Sequence, residues 1–250
     1  MQKINKENIG KRFKKATATY DEYAVVQKMM AQELVSMLKN HGFSSFGTVY
    51  EIGTGTGILT KIVSTELKYE QLFCNDLFGE SYNYISGLCD RKCFLAGDGE
   101  SVELIPGNTD LIISNATFQW FEDLPEFLKC SSQKISKNGV IAFSTFGTAQ
   151  FKEIREITGN GLHYFTKDEL LSRIGNCFEL VYFGETRQVL HFRTFREILI
   201  HISRTGVAGV GEEKNIELKE FARSYTEKFF SDGNYRLTYD PQIWILRRKQ

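Results

Sequence analysis

Between Tyr23 and Leu38 apolar side chains return every third or fourth position, at Ala24, Val25, Met29, Met30, Leu34, Met37 and Leu38. That spacing predicts an amphipathic helix, with His41-Gly42 as its C-terminal stop. The pattern then shortens to strand-length runs, each followed by a turn and a helix-period stretch. Strands are predicted at Thr48–Ile52, Gln71–Asn75, Lys92–Ala96, Asp110–Ser114 and Val140–Ser144. Helices are predicted at Ile58–Leu67, Tyr82–Leu88 and Leu124–Ser136, with Asn138-Gly139 turning into the fifth strand. The fourth strand is nearly all apolar, which implies burial on both faces. Strands alternating with helices at this rhythm predict an α/β fold built on a doubly wound, mainly parallel sheet.

Beyond Thr145 the rhythm loosens. A short helix is expected over Thr166–Ile174, with Thr166 as N-cap and Glu169 completing a capping box. Phe178–Phe183 and Gln188–Phe192 alternate like half-buried strands. Phe195–Ile202 and Asn215–Phe230 read as amphipathic helices, and Arg236–Leu246 as one closing strand around Pro241. Residues 194–231 are too long for a simple connection and are expected to form a helical lid. The 250 residues read as one domain, with a helical cap over 1–40, a binding core over 41–150 and that lid.

Charge narrows the function. Thirty-one Lys and Arg balance 31 Asp and Glu, which argues against a general nucleic-acid binder. The balance is local in places: Lys3, Lys6, Lys11, Arg12, Lys14 and Lys15 face Glu7 alone, and Arg187, Arg193, Arg196 and Arg204 face Glu197. No apolar run approaches the roughly 20 residues of a membrane span, so no membrane association is expected. Five scattered cysteines, without a CxxC pair or zinc-spaced histidines, read as reduced thiols with no metal site. A cytoplasmic protein is the expectation.

The most informative segment is Glu51-Ile52-Gly53-Thr54-Gly55-Thr56-Gly57, between the first predicted strand and its helix. Alternating glycines let the backbone turn tightly and approach a ligand with no Cβ in the way. A dinucleotide fingerprint spaces its glycines G-x-G-x-x-G, and here the third comes one residue early. Glu51, just ahead of the first glycine, disfavours a pyrophosphate and favours a cationic amino-acid moiety. S-Adenosylmethionine has such a moiety, a sulfonium, and no phosphate. Asp76, with Leu77 beside it, follows the second strand near the roughly 20-residue offset at which a carboxylate meets ribose hydroxyls. Asp98, flanked by Gly97 and Gly99, is a candidate acceptor for the adenine amine. Asn115 ends the fourth strand, at the sheet edge where open α/β folds bind ligands. Taken alone, the loop could also be a structural glycine turn.

Glu51 through Gly57 resembles motif I of the class I S-adenosylmethionine-dependent methyltransferases. Further segments resemble the malonyl-acyl-carrier-protein O-methyltransferases of biotin synthesis (the BioC family). These are Arg12-Phe13-Lys14-Lys15-Ala16 through Tyr20-Asp21 and Gln27; Ser114-Asn115-Ala116-Thr117-Phe118-Gln119-Trp120 with Asp123-Leu124; Phe143-Ser144-Thr145-Phe146-Gly147; Thr205-Gly206-Val207; and Leu237-Thr238-Tyr239. The likeness runs in order from about residue 5 to 247. Thr54 stands where relatives often carry cysteine, and the carboxyl-terminal half matches in islands.

The resemblance implies a Rossmann-like methyltransferase fold and methyl transfer from S-adenosylmethionine to the free carboxylate of malonyl-acyl carrier protein. The product would start pimeloyl synthesis for biotin. A carboxylate is already ionised at neutral pH, so the displacement needs no general base. Holding the nucleophile about 3–3.5 Å from the methyl carbon is the protein's task. Candidate neutral donors are Tyr20, Gln27, Gln119, Trp120 and Tyr239, although Trp120 and Tyr239 could equally be core aromatics. On one continuous helix Tyr20 and Gln27 would share a face. Arg204 is a candidate partner for the substrate carboxylate or for the carrier's phosphopantetheine phosphate. An acidic carrier would dock on the basic stretches 3–15 and 187–204 and be repelled by the seven acids between Asp98 and Glu126. Rival readings are methylation of another small molecule such as a quinone precursor, an NAD-dependent oxidoreductase, and a non-catalytic methyltransferase-like subunit.

Overall fold

The computed structural model describes residues 4–205 and 217–249, without the side chains of residues 7–9, 12 and 15. Two helices come first, α1 (Lys6–Tyr23) and α2 (Val25–Asn40). The alternating region follows as β1 (Ser45–Ile52), α3 (Ile58–Glu66), β2 (Lys68–Asp76), α4 (Tyr82–Ile85), β3 (Phe94–Ala96), β4 (Thr109–Asn115), α5 (Leu124–Ser131) and β5 (Ile135–Phe146). Then come α6 (Lys152–Thr158), α7 (Lys167–Ile174), β6 (Phe178–Glu185), β7 (Gln188–Phe192), α8 (Phe195–Arg204) and α9 (Leu218–Phe229). The chain ends in β8 (Phe230–Ser231), β9 (Asn234–Tyr239) and β10 (Pro241–Arg248).

Seven strands form one sheet in the order β3-β2-β1-β4-β5-β10-β6, in which only β10 runs against its neighbours. The fold is therefore α/β and doubly wound around a mainly parallel sheet. Its apolar centre, Leu111-Ile112-Ile113 of β4, is fully buried, as a strand covered on both faces must be. On one face Leu34 and Leu38 of α2 and Val63 of α3 pack over Val49, Ile113 and Ile245. On the other, Phe127 of α5 and Leu170 of α7 close over Phe143 and Trp244. Phe143 and Trp244 stack with centroids 5.8 Å apart. A separate three-stranded sheet, β7-β9-β8, lies with α8 and α9 beside the main sheet, and Ile198, Tyr225, Phe229, Leu237 and Tyr239 extend the first of these two apolar clusters into it. Among the described residues no helix is long and apolar enough to cross a membrane.

Several predicted elements differ from the structure, each for a local reason. The helix expected over Tyr23–Leu38 is α2, which begins two residues later, at Val25, after a break at Ala24 (φ −78°, ψ 43°). The helix before it, α1, is too rich in charge to display an apolar stripe. Helix α5 stops at Ser131, five residues short of the expectation, and β5 begins at Ile135. Asn138-Gly139 is thus an irregularity inside β5, where Asn138 takes a positive φ of 68° and the register against β4 shifts. The helix expected to Leu88 ends at Ile85, and the third strand starts at Phe94 after a 3-10 turn. The closing strand expected over 236–246 is two strands in different sheets, with Asp240 as the corner. There the Asp240 carboxylate accepts from Ala149 N (2.8 Å) and its own N–H donates to Gln150 Oε1 (2.9 Å). Pro241, lacking a donor, begins the new strand. The expected start of α9 at Asn215 lies outside the described residues, as do Gly206 and Val207.

Candidate functional site

At the carboxyl ends of β1, β2 and β4 the chain leaves a cleft roofed by α1, with about 1140 Å³ of atom-free space, mouth included. The glycine loop forms its floor. Gly53 N and Thr54 N donate to the Asn75 carbonyl (2.9 and 3.0 Å), and the Thr54 hydroxyl donates to the same oxygen (2.9 Å). Gly55 N donates to Asp76 Oδ2 at 2.8 Å. Gly53 and Gly55 hold positive φ values of 75° and 55°, where L side chains are strained. A Cβ on Gly53 would lie 2.2 Å from Thr117 Oγ1, and one on Gly55 would lie 3.1 Å from the Phe13 ring. Gly57 supplies the N-cap of α3 rather than the cavity wall.

Asp76 lines the cleft, 7% exposed, with Oδ1 accepting from Phe78 N (3.0 Å). Burial raises its pKa, opposed by hydrogen bonds from Phe78, Gly55 and Ser81. Leu77, Asp98 and Gly99 also line the wall. Asp98 is not free: Lys6 of α1 reaches both its oxygens (3.0 and 2.8 Å) and Glu100 (2.5 Å). Beside Gly99 is an acceptor that the sequence reading did not single out. The Asn75 amide donates to the Leu95 and Gly97 carbonyls, leaving its buried Oδ1 without a partner.

Tyr20, Gln27, Asn115, Gln119 and Trp120 come together on the far wall. Tyr20 and Gln27 do so across the break at Ala24, not along one helix face. Burial pushes the Tyr20 hydroxyl far above its ordinary pKa, so it stays a neutral phenol. The Asn115 amide is committed, accepting from the Ser144 hydroxyl (2.6 Å) and donating to the Gln27 carbonyl (3.1 Å). Gln119 differs from the expectation of a free donor. Its Nε2 donates to the Ala116 carbonyl (2.5 Å), which leaves Oε1 buried and unpartnered. The Ala116 oxygen fixes that orientation, since a flipped amide would set two acceptors together. Gln27 Oε1 is likewise buried without a partner.

Besides Gly57, three expected site residues do not line the cleft. Glu51 sits beneath the glycine loop, fully buried, with Oε1 accepting from the Thr60 hydroxyl (3.0 Å) and Oε2 unpartnered. Burial raises its pKa to about 8, so at neutral pH it is mostly protonated and offers little negative charge. Tyr239 is fully buried against Phe146 and Phe151, its hydroxyl 2.7 Å from His201 Nε2. Burial holds His201 at a pKa of about 4, leaving its ring neutral. Arg204 is exposed and donates to the Thr19 hydroxyl (2.8 Å), tying α8 to α1. The converse omissions are Lys6, Phe13, Thr117 and Thr205, which all line the cleft. Each lies in a charged or mixed segment where spacing gives no inward-facing signal.

The unpartnered acceptors and the glycine floor suit a ligand that brings its own hydrogen-bond donors. Comparison with known proteins identifies the fold and the family. Residues 50–143 match the methyltransferase domain family. The solved N-methyltransferase NodS of Bradyrhizobium japonicum, in complex with S-adenosyl-L-homocysteine, superposes with a TM-score of 0.59 at 12% identity, covering 97% of this chain and 100% of that one. At that identity it speaks for the fold alone. The malonyl-[acyl-carrier protein] O-methyltransferase of Chlorobium phaeovibrioides is 37% identical, over 97% of this chain and 96% of its own. That of Bacteroides thetaiotaomicron is 34% identical over 99% of each. The chain belongs to the malonyl-[acyl-carrier protein] O-methyltransferase family. As a member of that family it is a carboxyl O-methyltransferase dependent on S-adenosylmethionine.

Two expected outcomes follow from the geometry. Gly55→Val places a β-branched residue at a left-handed φ, and Asp76→Ala removes the acceptor that holds the loop. Each should abolish S-adenosylmethionine binding by titration calorimetry, and unchanged affinity in either variant would contradict the site. The second concerns Glu51, whose pKa rises from 4.5 to about 8 on folding. Between those values the folded chain holds a proton that the unfolded chain has released. Its contribution to stability is therefore fully present below about pH 4.5 and lost as pH rises through about 8. Urea unfolding of Glu51→Gln should show a flatter pH dependence across that window than the parent chain.

Proposed function

We propose that this chain methylates the free carboxylate of a malonyl thioester on acyl carrier protein, starting pimeloyl synthesis for biotin. The observation that carries the reading is the neutrality of the inner wall. Tyr20, Gln27, Asn115, Gln119 and Trp120 meet there, with no histidine among the described lining residues. A nucleophile that must first lose a proton would find no base among these five, the carboxylates Asp76 and Asp98 being held by backbone N–H groups and by Lys6, whereas a carboxylate arrives ionised.

Bound S-adenosylmethionine supplies an electrophilic methyl group on a sulfonium sulfur. The glycine loop, Asp76, Leu77, Gly99 and the unpartnered Asn75 and Gln27 oxygens would hold that group. In the displacement the S–CH3 bond breaks as the O–CH3 bond forms, and the electron pair stays on sulfur. One cation and one anion become a neutral thioether and a neutral ester. Charge disappears along the way, so a poorly solvating cavity favours the step. Phe13, Phe121, Phe146 and Trp120 supply that apolar surround. Tyr20 is the donor best placed to orient the incoming carboxylate. Tyr239 and Arg204 act one layer behind, Tyr239 packing the wall and Arg204 fastening α8 to α1.

The cap 1–40, core 41–150 and lid 194–231 are part of this reading, with α1 and α8 closing over the bound molecules. Their junction at Arg204 and Thr19 joins the two basic stretches into one candidate carrier-docking surface. Lys11, Lys14, Arg187, Arg193 and Arg196 are exposed on it, while Lys3 and the side chains of Arg12 and Lys15 lie outside the described residues. The five unpaired cysteines fit a reducing cytoplasm.

Incubation with methyl-labelled S-adenosylmethionine and malonyl-, succinyl- or acetyl-carrier protein tests the reading. Label should enter a base-labile ester on the malonyl carrier, and transfer to none of them would overturn the assignment. Tyr20→Phe should keep coenzyme affinity and lower kcat on the malonyl carrier about 10²-fold, the size of an oriented hydrogen-bond contribution. Turnover equal to the parent chain would remove Tyr20 from the reaction.

A further inference from the structure

Beyond the cleft lies a second cavity, and the two share walls at Gln119, Phe121 and Phe146. It sits over the carboxyl end of β5 and the start of β10, where Thr145 and Gln242 line it. The coenzyme-binding loop follows β1, on the opposite side of β4 in the sheet order. The second cavity therefore extends from the cleft away from the coenzyme loop. Its outer end is formed by Leu162 and His163, with Ile4 just ahead of α1. His163 is 62% exposed, so this end reaches solvent.

We infer that this second cavity is the channel for the amide-bearing arm of the thioester, with Gln119 Oε1 accepting an amide N–H at its inner end. The inference rests on the proposed function and adds where the arm runs. Three observations support it. The shared wall makes one continuous path from the neutral donors to the surface. The lining combines aromatic and aliphatic groups with scattered uncharged polar ones, as a neutral chain of methylenes and amides requires. Gln119 stands on the wall the two cavities share, and the Ala116 carbonyl pins its amide so that the buried Oε1 is left as an unpartnered acceptor there. An acceptor is unsuited to a carboxylate and suited to a peptide-like N–H. Arg173, paired with Glu169 (3.0 Å), and the carboxylates Glu122 and Asp123 also line this cavity, so charge of both signs is present. That mixture suits passage of a neutral arm better than capture of an anion.

Malonyl-N-acetylcysteamine and malonyl-pantetheine differ in how far they fill such a channel. In the parent chain the longer thioester should show about tenfold higher kcat/KM, worth about 1.4 kcal/mol of transition-state binding. Equal values would overturn the channel. Leu162→Trp and His163→Trp narrow its outer end, away from the reacting atoms. Both should lose that tenfold advantage while keeping malonyl-N-acetylcysteamine turnover and coenzyme affinity within about twofold of the parent. Variants that retain the full advantage would place the arm elsewhere. A parent chain that methylates neither thioester would overturn the proposed function itself, whereas one that methylates both equally well would overturn only the channel.

Discussion

One backbone oxygen organises the coenzyme end of this molecule. The Asn75 carbonyl, at the end of β2, takes hydrogen bonds from Gly53 N, Thr54 N and the Thr54 hydroxyl. The next carboxylate, Asp76, takes Gly55 N. Parallel pairing of β1 and β2, which sets Ile52 against Asn75, delivers these acceptors to the loop. The loop can accept them only because its glycines tolerate positive φ. Strand register, turn conformation and the shape of the cleft floor are thus one constraint, and a change in any of them disturbs the other two. Asp76 serves this constraint before it serves a ligand: both its oxygens already hold backbone N–H groups.

The roof is held differently. Helix α1 is fastened at one end by Lys6 to Asp98 and Glu100, and at the other by Asp21, which accepts from the Thr56 hydroxyl at 2.7 Å. The Asp98 side chain is 43% exposed, so its ion pair is well screened. Contacts of that kind close a helix over a cavity without locking it. The same Lys6 occupies Asp98, whereas the buried Asn75 Oδ1 beside Gly99 has no partner.

How much of this was legible in the sequence depends on whether a residue's environment is local. The strands of the main sheet have apolar buried stretches, Leu111-Ile112-Ile113 above all, and their order in the chain implied the doubly wound architecture. The glycine spacing marked the floor of the cleft because its cause, positive φ beside a ligand, is written in residue type. Helix α1 falls within the helical cap expected over 1–40, but its bounds were not legible because it turns its inward side to a cavity and a second helix and shows no apolar stripe. The division of residues 234–248 between two sheets turns on Asp240 and its partners Ala149 and Gln150, about ninety positions away. Gln119 was legible as a site residue but not in its role. Which end of its amide is free depends on the Ala116 carbonyl, and Ala116 holds a positive φ of 50° that no spacing rule predicts.

The electrostatics of the site turn on the same distinction. Read from the sequence, Glu51 is a negative charge beside the glycines. In the fold it is a buried carboxyl whose one bonded oxygen takes the Thr60 hydroxyl, and desolvation outweighs that bond. His201 is buried too and stays neutral, and Tyr20 is kept from ionising. Burial therefore leaves Glu51 and His201 largely uncharged at neutral pH, where the Tyr20 phenol is neutral in any case. A reaction that begins with a separated cation and anion and ends with neither is opposed by a polar surround, which stabilises the reactants most. Keeping buried groups such as Glu51 and His201 uncharged, and pairing the charge of Asp98 with Lys6, is thus one way this fold can favour such a step.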